Sequence, residues 1–466
     1  MFQHIRSTLK DQEMMKTIFL LAWPTMLEEA LQCIVTYADT AQVGVMGANA
    51  SAAIGLTTTV TWMTFYPMYA AGMSVTSCIS IALGAKDHKR ARTAAAQAVI
   101  LVLILGLVIM ALTLAVSPFL PRWLGGAPEI QQDASTYFAI ICTPMLFRAA
   151  SIIMGAALRA TGNTKTPMLI STLMNVVNIF LNFLLISPAR PVTVLGHSFS
   201  VWGAGWGVAG AAIASAISIV LGGTLMTIAA WRSPALGLSL KNIRPHRDVM
   251  AQCVRVGLPI AGERVLFSFG QVVFTAITAR LGTVAMAAHS IALTAEQAFY
   301  IPGYGMQTAA ATLAGYSAGE KSEKRLMQYS STIMFLATVL MTVLSAALFL
   351  FAEPIMSIFT PDPQVVKLGG LALRIVAVSE PFFAVLVILE GIFSGLGDTK
   401  APFFFSLFSM WGVRITSTWV CVVVLKLGLG AVWACMAVDN MTRFFLMMLH
   451  FLRGKWNKRL GLEVKD

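Results

Sequence analysis

Long apolar runs alternate with short polar connections along the whole chain. Two of these runs, 94–117 and 330–352, contain no Asp, Glu, Lys or Arg, and each exceeds the roughly 20 residues that a helix needs to cross a bilayer. The strict alternation of apolar and polar residues that marks membrane strands is absent. The pattern predicts an all-α polytopic membrane protein with about twelve spanning helices, numbered here as spans 1 to 12: 17–40, 49–84, 93–117, 133–160, 166–187, 203–230, 250–281, 284–318, 326–351, 365–395, 401–426 and 429–452.

Composition agrees with this pattern. Of the 466 residues, 57% are hydrophobic and only 12% are charged, with a mean hydropathy of +0.76, whereas soluble domains are about 25% charged. A net charge of +12 is also found in nucleic-acid-binding proteins, but in a chain this apolar it indicates basic loops that set membrane orientation. We therefore expect a multi-pass protein of the cell (inner) membrane that binds no nucleic acid and contacts the lipid bilayer. A monomer is expected, although composition does not determine the oligomeric state.

The positions of the basic residues predict the membrane orientation, and the spacing of the cysteines bears on disulfides and zinc. Lys and Arg cluster in alternate connections, at 86–92, 232–255, 320–325 and 453–459, which places both termini in the cytoplasm. The polar first 16 residues are followed by no small-residue cleavage site, so no signal peptide is expected. The six cysteines form no CxxC pair, so neither a disulfide framework nor a zinc site is expected.

The two halves of the chain repeat each other at one fixed offset. The loop RATGNTKTP at 159–167 returns as SGLGDTKAP at 394–402, with Gly162 and Gly397 separated by 397 − 162 = 235 positions. The same offset relates further pairs: Pro24 and Pro259, Glu28 and Glu263, Gly47 and Gly282, Pro67 and Pro302, Gly84 and Gly319, Lys86 and Lys321, Arg90 and Arg325. We interpret both loops as structural turns.

A duplicated six-helix unit explains this offset. Because six is even, both copies enter the membrane in the same direction and form parallel repeats. We predict an amino-terminal lobe at 1–231, a cytoplasmic linker at 232–249 and a carboxy-terminal lobe at 250–466, with a cleft between the lobes.

Polar residues inside the spans are the functional candidates, because they are costly in lipid. In span 1, Glu28, Gln32, Thr36 and Asp39 fall within an arc of roughly 80° at helical spacing. Hydrogen bonding between helices accounts for glutamine and threonine, but two carboxylates favour a proton acceptor or a cation ligand. Asp39 is the first candidate.

The second half repeats this stripe only in part. Glu263 corresponds to Glu28 and Gln271 to Thr36, while Phe274 stands where Asp39 would be. The two lobes are therefore chemically unequal, and the lobe that holds the coupling site stays open.

Other spans add further polar candidates. Span 8 places His289, Glu296, Tyr300 and Gln307 on one face, span 10 carries Glu380 and Glu390, and span 5 carries Asn175, Asn178 and Asn182 along one side. We expect His289 to be an interfacial residue, and Asp439 to pair with Arg443 at i and i+4 as a structural ion pair.

Several motifs together resemble the multidrug and toxic compound extrusion (MATE) family, in its bacterial branch. They are YADTAQVG at 37–44, GTVAMAAHSIA at 282–292, the GNTK and GDTK loops, GVAGAAIAS at 207–215 and GLPIAGERVLF at 257–267. The resemblance covers nearly the whole chain. It implies a V-shaped pair of lobes that exports organic cations in exchange for sodium ions or protons, without a cofactor.

The resemblance also assigns residues by position. The family's aspartate of span 1 matches Asp39 and its asparagine of span 5 matches Asn178, so these two and Asn182 form a possible sodium site. Asn182 stands where some members carry aspartate, which leaves Asp39 as the only matched titratable group there. A glutamate that other members carry in span 7 falls at Phe267, one turn after Glu263.

Two rival functions would each require a different set of residues. A lipid-linked oligosaccharide flippase of the same superfamily would need a cleft lined by basic residues, with Arg148, Arg264 and Arg414 as the candidates. A membrane enzyme would need converging catalytic groups, and no HExxH, GxSxG or GxxxxGK motif occurs. The sequence favours a transporter over an enzyme.

Overall fold

A computed structural model of the protein describes residues 11–44, 46–194 and 197–454, with the side chains of 39–41, 43, 48, 190–194 and 197–201 excepted. Within these residues each predicted span is helical over most of its length. Their bounds, for spans 1 to 12 in order, are Gln12–Gly44, Ala48–Gly84, His88–Val116, Pro128–Cys142 with Met145–Ala160, Lys165–Leu185, Gly207–Trp231, Arg247–Thr278, Thr283–Gly319, Glu323–Leu350, Pro363–Leu396, Lys400–Val424 and Leu429–Leu452. The predicted all-α membrane fold is confirmed.

Hydropathy alone identifies most of these spans. Among the described residues, ten helices are long and apolar enough to cross a membrane, and span 4 makes an eleventh if its two bent halves are counted as one. Span 8 is 37 residues long but more polar, because it buries groups such as His289, Glu296 and Gln307. A span that hydropathy alone does not identify thus carries four of the polar candidates.

Three local features depart from the predicted spans. Span 4 is broken at Pro144, where its two halves meet at 48°, since proline removes a helical hydrogen bond. Span 11 contains two π-helical segments, Phe408–Ile415 and Val420–Val424. Span 6 was predicted to start at 203, but an antiparallel hairpin of β1 (Pro188–Val194) and β2 (His197–Ala204) precedes it.

Short helical segments connect several of the spans. Leu120–Trp123 follows span 3 and Ala352–Phe359 follows span 9, while 3₁₀ turns occupy Leu240–Asn242 and Ala279–Leu281.

The backbone repeats at the predicted offset. Positive φ angles occur at Gly47 and Gly282 (104° and 98°) and at Gly162 and Gly397 (85° and 75°). The non-glycine residues Lys86 and Lys321 also share this conformation, with φ of 57° and 52°. Because L-residues rarely adopt it, its return after 235 positions supports duplication of a whole six-helix unit.

The described chain packs as two compact units. One unit consists of residues 11–30, 76–88 and 252–454, and the other of residues 31–75 and 89–251. The beginning of span 1 and the end of span 2 thus pack with the carboxy-terminal half. The lobe boundaries that we drew from the repeat stay a prediction.

Two apolar clusters lie at the core of the described part of the first unit. One includes Phe393, Leu389 and Met334, and the other includes Trp433 and Phe274. These clusters position spans 7 to 12, which carry most of the buried polar groups.

Spans 2 and 8 approach each other backbone to backbone. A Cβ on Gly84 would overlap the carbonyl oxygen of Tyr316, and a Cβ on Gly319 would overlap that of Ile81. The two contacts are related by the repeat, since 319 − 84 and 316 − 81 both equal 235. A side chain at either glycine would force these spans apart.

We expect Gly319→Ala to destabilise the protein by about 1–3 kcal/mol, because its methyl group meets backbone that cannot rotate away. Gly303→Ala in the same helix is the control, since nothing lies within 4 Å of its Cβ position; it should be neutral or gain up to about 1 kcal/mol from helix propensity. Thermal unfolding of both variants in detergent measures the difference. Equal melting temperatures would contradict the close approach.

Candidate ion and substrate site

The span 5 asparagines are buried, and two of them are joined to each other and to span 6. Asn182 Nδ2 donates to Asn178 Oδ1 at 3.3 Å, and Asn178 Nδ2 donates to Ser215 Oγ at 3.2 Å. These bonds tie two helices together and also hold amide groups in an apolar interior. The side chain of Asp39 lies outside the described residues, so the sodium site at Asp39, Asn178 and Asn182 stays a prediction.

The rest of the span 1 stripe is less buried. Glu28 is half-buried, whereas Gln32 and Thr36 are exposed. Thr36 Oγ1 donates to the carbonyl of Gln32 at 2.9 Å. The role of this stripe also stays a prediction.

Two carboxylates of spans 8 and 10 are the most buried acidic candidates. Glu296 and Glu380 are each 1% exposed, and their charges act on each other. Tyr300 donates a hydrogen bond to Glu296, and its ring packs against Phe383 of span 10 with centroids 4.4 Å apart. Neither carboxylate oxygen of Glu380 has a hydrogen-bond partner among the described residues.

A second acidic level lies further along the same two helices. Gln307 Nε2 donates to Glu390 Oε2 at 3.4 Å, and the charge of Glu263 in span 7 acts on Glu390. Ten residues separate Glu380 from Glu390, which corresponds to about 15 Å of helix. Spans 8 and 10 therefore carry carboxylates at two depths.

Glu263 also lines a small pocket between spans 7 and 11. Phe267, Met410 and Trp411 form much of its apolar wall, and the buried hydroxyl of Ser406, also in the wall, has no partner among the described residues. The pocket combines a carboxylate with aromatic surface.

A buried ion-pair network joins spans 7, 11 and 12. Arg414 is 3% exposed and Asp439 is fully buried, with Arg414 Nη2 at 2.7 Å from Asp439 Oδ2. Arg414 also donates to Gln271 Oε1 at 3.1 Å and to Asn440 Oδ1 at 3.3 Å. Gln271 thus belongs to this network, although from the sequence it was predicted as a coupling or substrate residue.

The predicted pair of Asp439 with Arg443 is present but is the weaker contact. Arg443 Nη2 lies 3.5 Å from Asp439 Oδ2 and donates at 2.9 Å to Asn440. Ser409 donates a further hydrogen bond to Asp439. The spacing of four residues along span 12 predicted Arg443 as a partner of Asp439. The signal for Arg414 was that an arginine alone in an apolar span needs an acidic partner.

His289, predicted to be a satisfied interfacial histidine, has a partner inside the protein, and its depth in the membrane stays a prediction. It is fully buried, accepts a hydrogen bond from Trp433 Nε1 at 3.2 Å, and its ring contacts Phe274 edge-on. Residue depth along the span did not reveal which face packs inward.

Pairing separates two kinds of buried charge. Breaking a buried ion pair is costly, which makes the Arg414–Asp439 network structural. Unpartnered carboxylates such as Glu380 persist in membrane interiors where function requires them. Such groups within the spans of a helical membrane protein are typical of a polytopic membrane transporter.

Comparison with known proteins identifies the family. The family model described as MatE matches residues 24–184 and 259–420, two blocks that begin 259 − 24 = 235 positions apart. The chain belongs to the MatE family, whose members are transporters and not enzymes.

Full-length relatives agree with this assignment. The "Probable multidrug resistance protein NorM" of Thermotoga maritima is 30% identical over 97% of this chain and 95% of its own length. The "Uncharacterized transporter YisQ" of Bacillus subtilis is 23% identical over 96% and 95%.

Solved structures share the fold. A crystal structure of MATE in complex with MaL6 has a TM-score of 0.87 and 23% identity, covering 95% of this chain and 97% of the other. A MOP superfamily transporter from Pyrococcus furiosus, described as having a binding pocket of reverse polarity that suggests a different function, has a TM-score of 0.85 and 23% identity, with 97% of each chain covered. At this identity the likeness establishes the fold alone.

We expect Asp439→Ala to destabilise the protein by about 3–5 kcal/mol, because it leaves Arg414 buried without its partner. The double variant Asp439→Leu with Arg414→Leu should recover part of this loss, since it removes the charges of the shorter pair together, while Arg443 keeps its hydrogen bond to Asn440. Glu353→Ala breaks the partly exposed pair with Arg374 (2.9 Å) and should cost at most about 1 kcal/mol. Melting temperatures in detergent test the series; a double variant no more stable than Asp439→Ala would contradict the pairing argument.

Proposed function

We propose that this transporter is an antiporter that exports organic cations in exchange for sodium ions or protons. The names of the NorM relatives support multidrug export. The observation that carries the ion coupling is the buried carboxyl group of Glu380, which has no hydrogen-bond partner among the described residues and lies beside Glu296. A bare carboxylate there would bear an uncompensated desolvation cost, so a proton or a monovalent cation must neutralise it.

Exchange requires that this neutralising cation can leave and return. Tyr300 donates a hydrogen bond to Glu296, while Glu380 makes no hydrogen bond to any described residue. Glu380 is therefore the group that can change its occupant without breaking a hydrogen bond within the described part of the chain. Asp39 with Asn178 and Asn182 is the corresponding candidate in the other half. Glu390 and Glu263 are the candidates at the second acidic level, one stage further along spans 8 and 10.

In the proposed arrangement the protein lies in the inner membrane with both termini in the cytoplasm. It acts as a monomer. Expelling a monovalent cation against an inside-negative potential costs about 2.3 kcal/mol per 100 mV. One inward-moving sodium ion or proton cancels this electrical cost. The exchange needs no prosthetic group.

The flippase alternative requires unpaired basic residues for an anionic pyrophosphate. Arg414, the most buried of its candidates, is neutralised by Asp439 at 2.7 Å. Arg148 stacks over the ring of Phe65 at 4.4 Å. The ion pair of Arg414 favours cation export, whereas the stacking of Arg148 leaves its charge in place.

We expect Glu380→Gln to lose most gradient-driven export, because the amide keeps the shape and cannot exchange a proton or bind a cation as tightly. Everted vesicles with either a high-sodium or an acidic lumen measure dye uptake, and the gradient that drives wild-type uptake identifies the coupling ion. Asp39→Asn tests the other half in the same assay, and Glu353→Gln is the surface control. If Glu380→Gln takes up dye at the wild-type rate at matched expression, the proposed carboxy-terminal site is wrong. The same result for Asp39→Asn would contradict the proposed amino-terminal site.

Selectivity provides an independent test of the substrate class. A cation beside an aromatic face in a desolvated site gains about 0.5–2 kcal/mol, and a nearby carboxylate adds attraction. Ethidium-like monovalent cations should therefore inhibit one another's efflux, while anionic dyes of similar size should not. Strong inhibition by anionic dyes or by lipid-linked sugars would instead favour the flippase.

A further inference from the structure

Two pairs of cysteine side chains meet within the first unit. Cys421 Sγ and Cys435 Sγ are 3.7 Å apart, and Cys78 Sγ and Cys253 Sγ are 3.5 Å apart. Cys421 and Cys435 lie near the connection of spans 11 and 12, whereas Cys78 and Cys253 lie near the end of span 2 and the start of span 7. Counting spans from the amino terminus places the two pairs toward opposite sides of the membrane.

We propose that Cys421 and Cys435 are a modification site that is oxidised to a disulfide, while Cys78 and Cys253 remain a dithiol. The inference rests on the orientation proposed above, in which the connection of spans 11 and 12 faces the outside. Disulfides persist in oxidising extracytoplasmic compartments and are reduced in the cytosol. The two pairs have nearly equal sulfur separations, so the compartment and not the geometry distinguishes them.

The local geometry permits the bond. Sulfur atoms in a disulfide are about 2.05 Å apart, so the sulfurs of Cys421 and Cys435 must approach by less than 2 Å. Cys421 lies in the last π-helical segment of span 11, Val420–Val424, and is half-buried, whereas Cys435 is buried. Cys421 is therefore the thiol that an oxidant reaches first.

The disulfide would lie close to the ion pair of Arg414 and Asp439. Cys435 lies one helical turn before Asp439, and Cys421 lies seven positions after Arg414. A covalent link there fixes spans 11 and 12 beside the contact that already joins them. It also holds the irregular end of span 11, where the α-helical hydrogen-bond pattern is interrupted.

The oxidation is a thiol–disulfide exchange with an oxidised dithiol oxidoreductase of that compartment. The thiolate of Cys421, having released its proton, attacks the partner's disulfide and forms a mixed disulfide as one partner thiolate leaves. The thiolate of Cys435 then displaces the second partner sulfur. One intramolecular disulfide forms here, and the two protons and two electrons lost by the two thiols end on the partner, whose disulfide becomes a dithiol.

The test is differential thiol labelling of the full-length protein in intact bacterial cells. Acid quenching, alkylation with N-ethylmaleimide under denaturing conditions, reduction and labelling with maleimide-polyethylene glycol reveal only cysteines that were oxidised. We expect two labels per chain, assigned by peptide mass spectrometry to Cys421 and Cys435. Cys421→Ser should abolish both labels, and Cys78→Ser should leave both in place.

Three results would overturn the proposal. Absence of label on wild-type protein means that both thiols are reduced. Label on Cys78 and Cys253 instead means that the oxidising side is the opposite one. A dimer band on non-reducing gels that dithiothreitol removes means that the bond joins two chains. The labelling needs no transported compound, so its outcome is independent of the export assays.

Discussion

A charge buried in a membrane protein has no water to neutralise it, so every such group needs a partner within the protein or a ligand. Asp439 satisfies this constraint for Arg414 and Arg443, and in doing so fixes spans 11 and 12 against span 7. Glu380 does not satisfy it with any described residue. The same physical rule thus separates the groups that build the carboxy-terminal half from those available to a transported ion.

The duplicated framework was predictable because its signals are local. A glycine that needs a positive φ, or a proline at the start of a helix, is determined by its own turn and not by distant contacts. The offset read from Gly162 and Gly397 therefore returned in the backbone of Gly47 and Gly282, and even of Lys86 and Lys321. The span 5 asparagines were found for a similar reason, since helical spacing placed them on one side.

The missed contacts depend on the packing of residues distant in sequence. Periodicity within span 12 identified Arg443 as a partner of Asp439, but the shorter contact comes from Arg414 in another helix. His289 was assigned from its position near a span end, whereas Trp433 and Phe274 decide its burial. The hairpin before span 6 was not predicted: its residues were assigned to a loop and to the first turn of span 6, because the apolar ones resemble the start of a membrane segment.

The π-helical segments of span 11 change how the two halves can be compared. A π turn contains more residues than an α turn, so the faces of span 11 rotate progressively away from those of span 5 after Phe408. Residues that align at the common offset beyond this point no longer point in equivalent directions. Pseudo-symmetry therefore transfers side-chain roles reliably between the first turns of these two helices, and misassigns them in the later turns, where Arg414 projects.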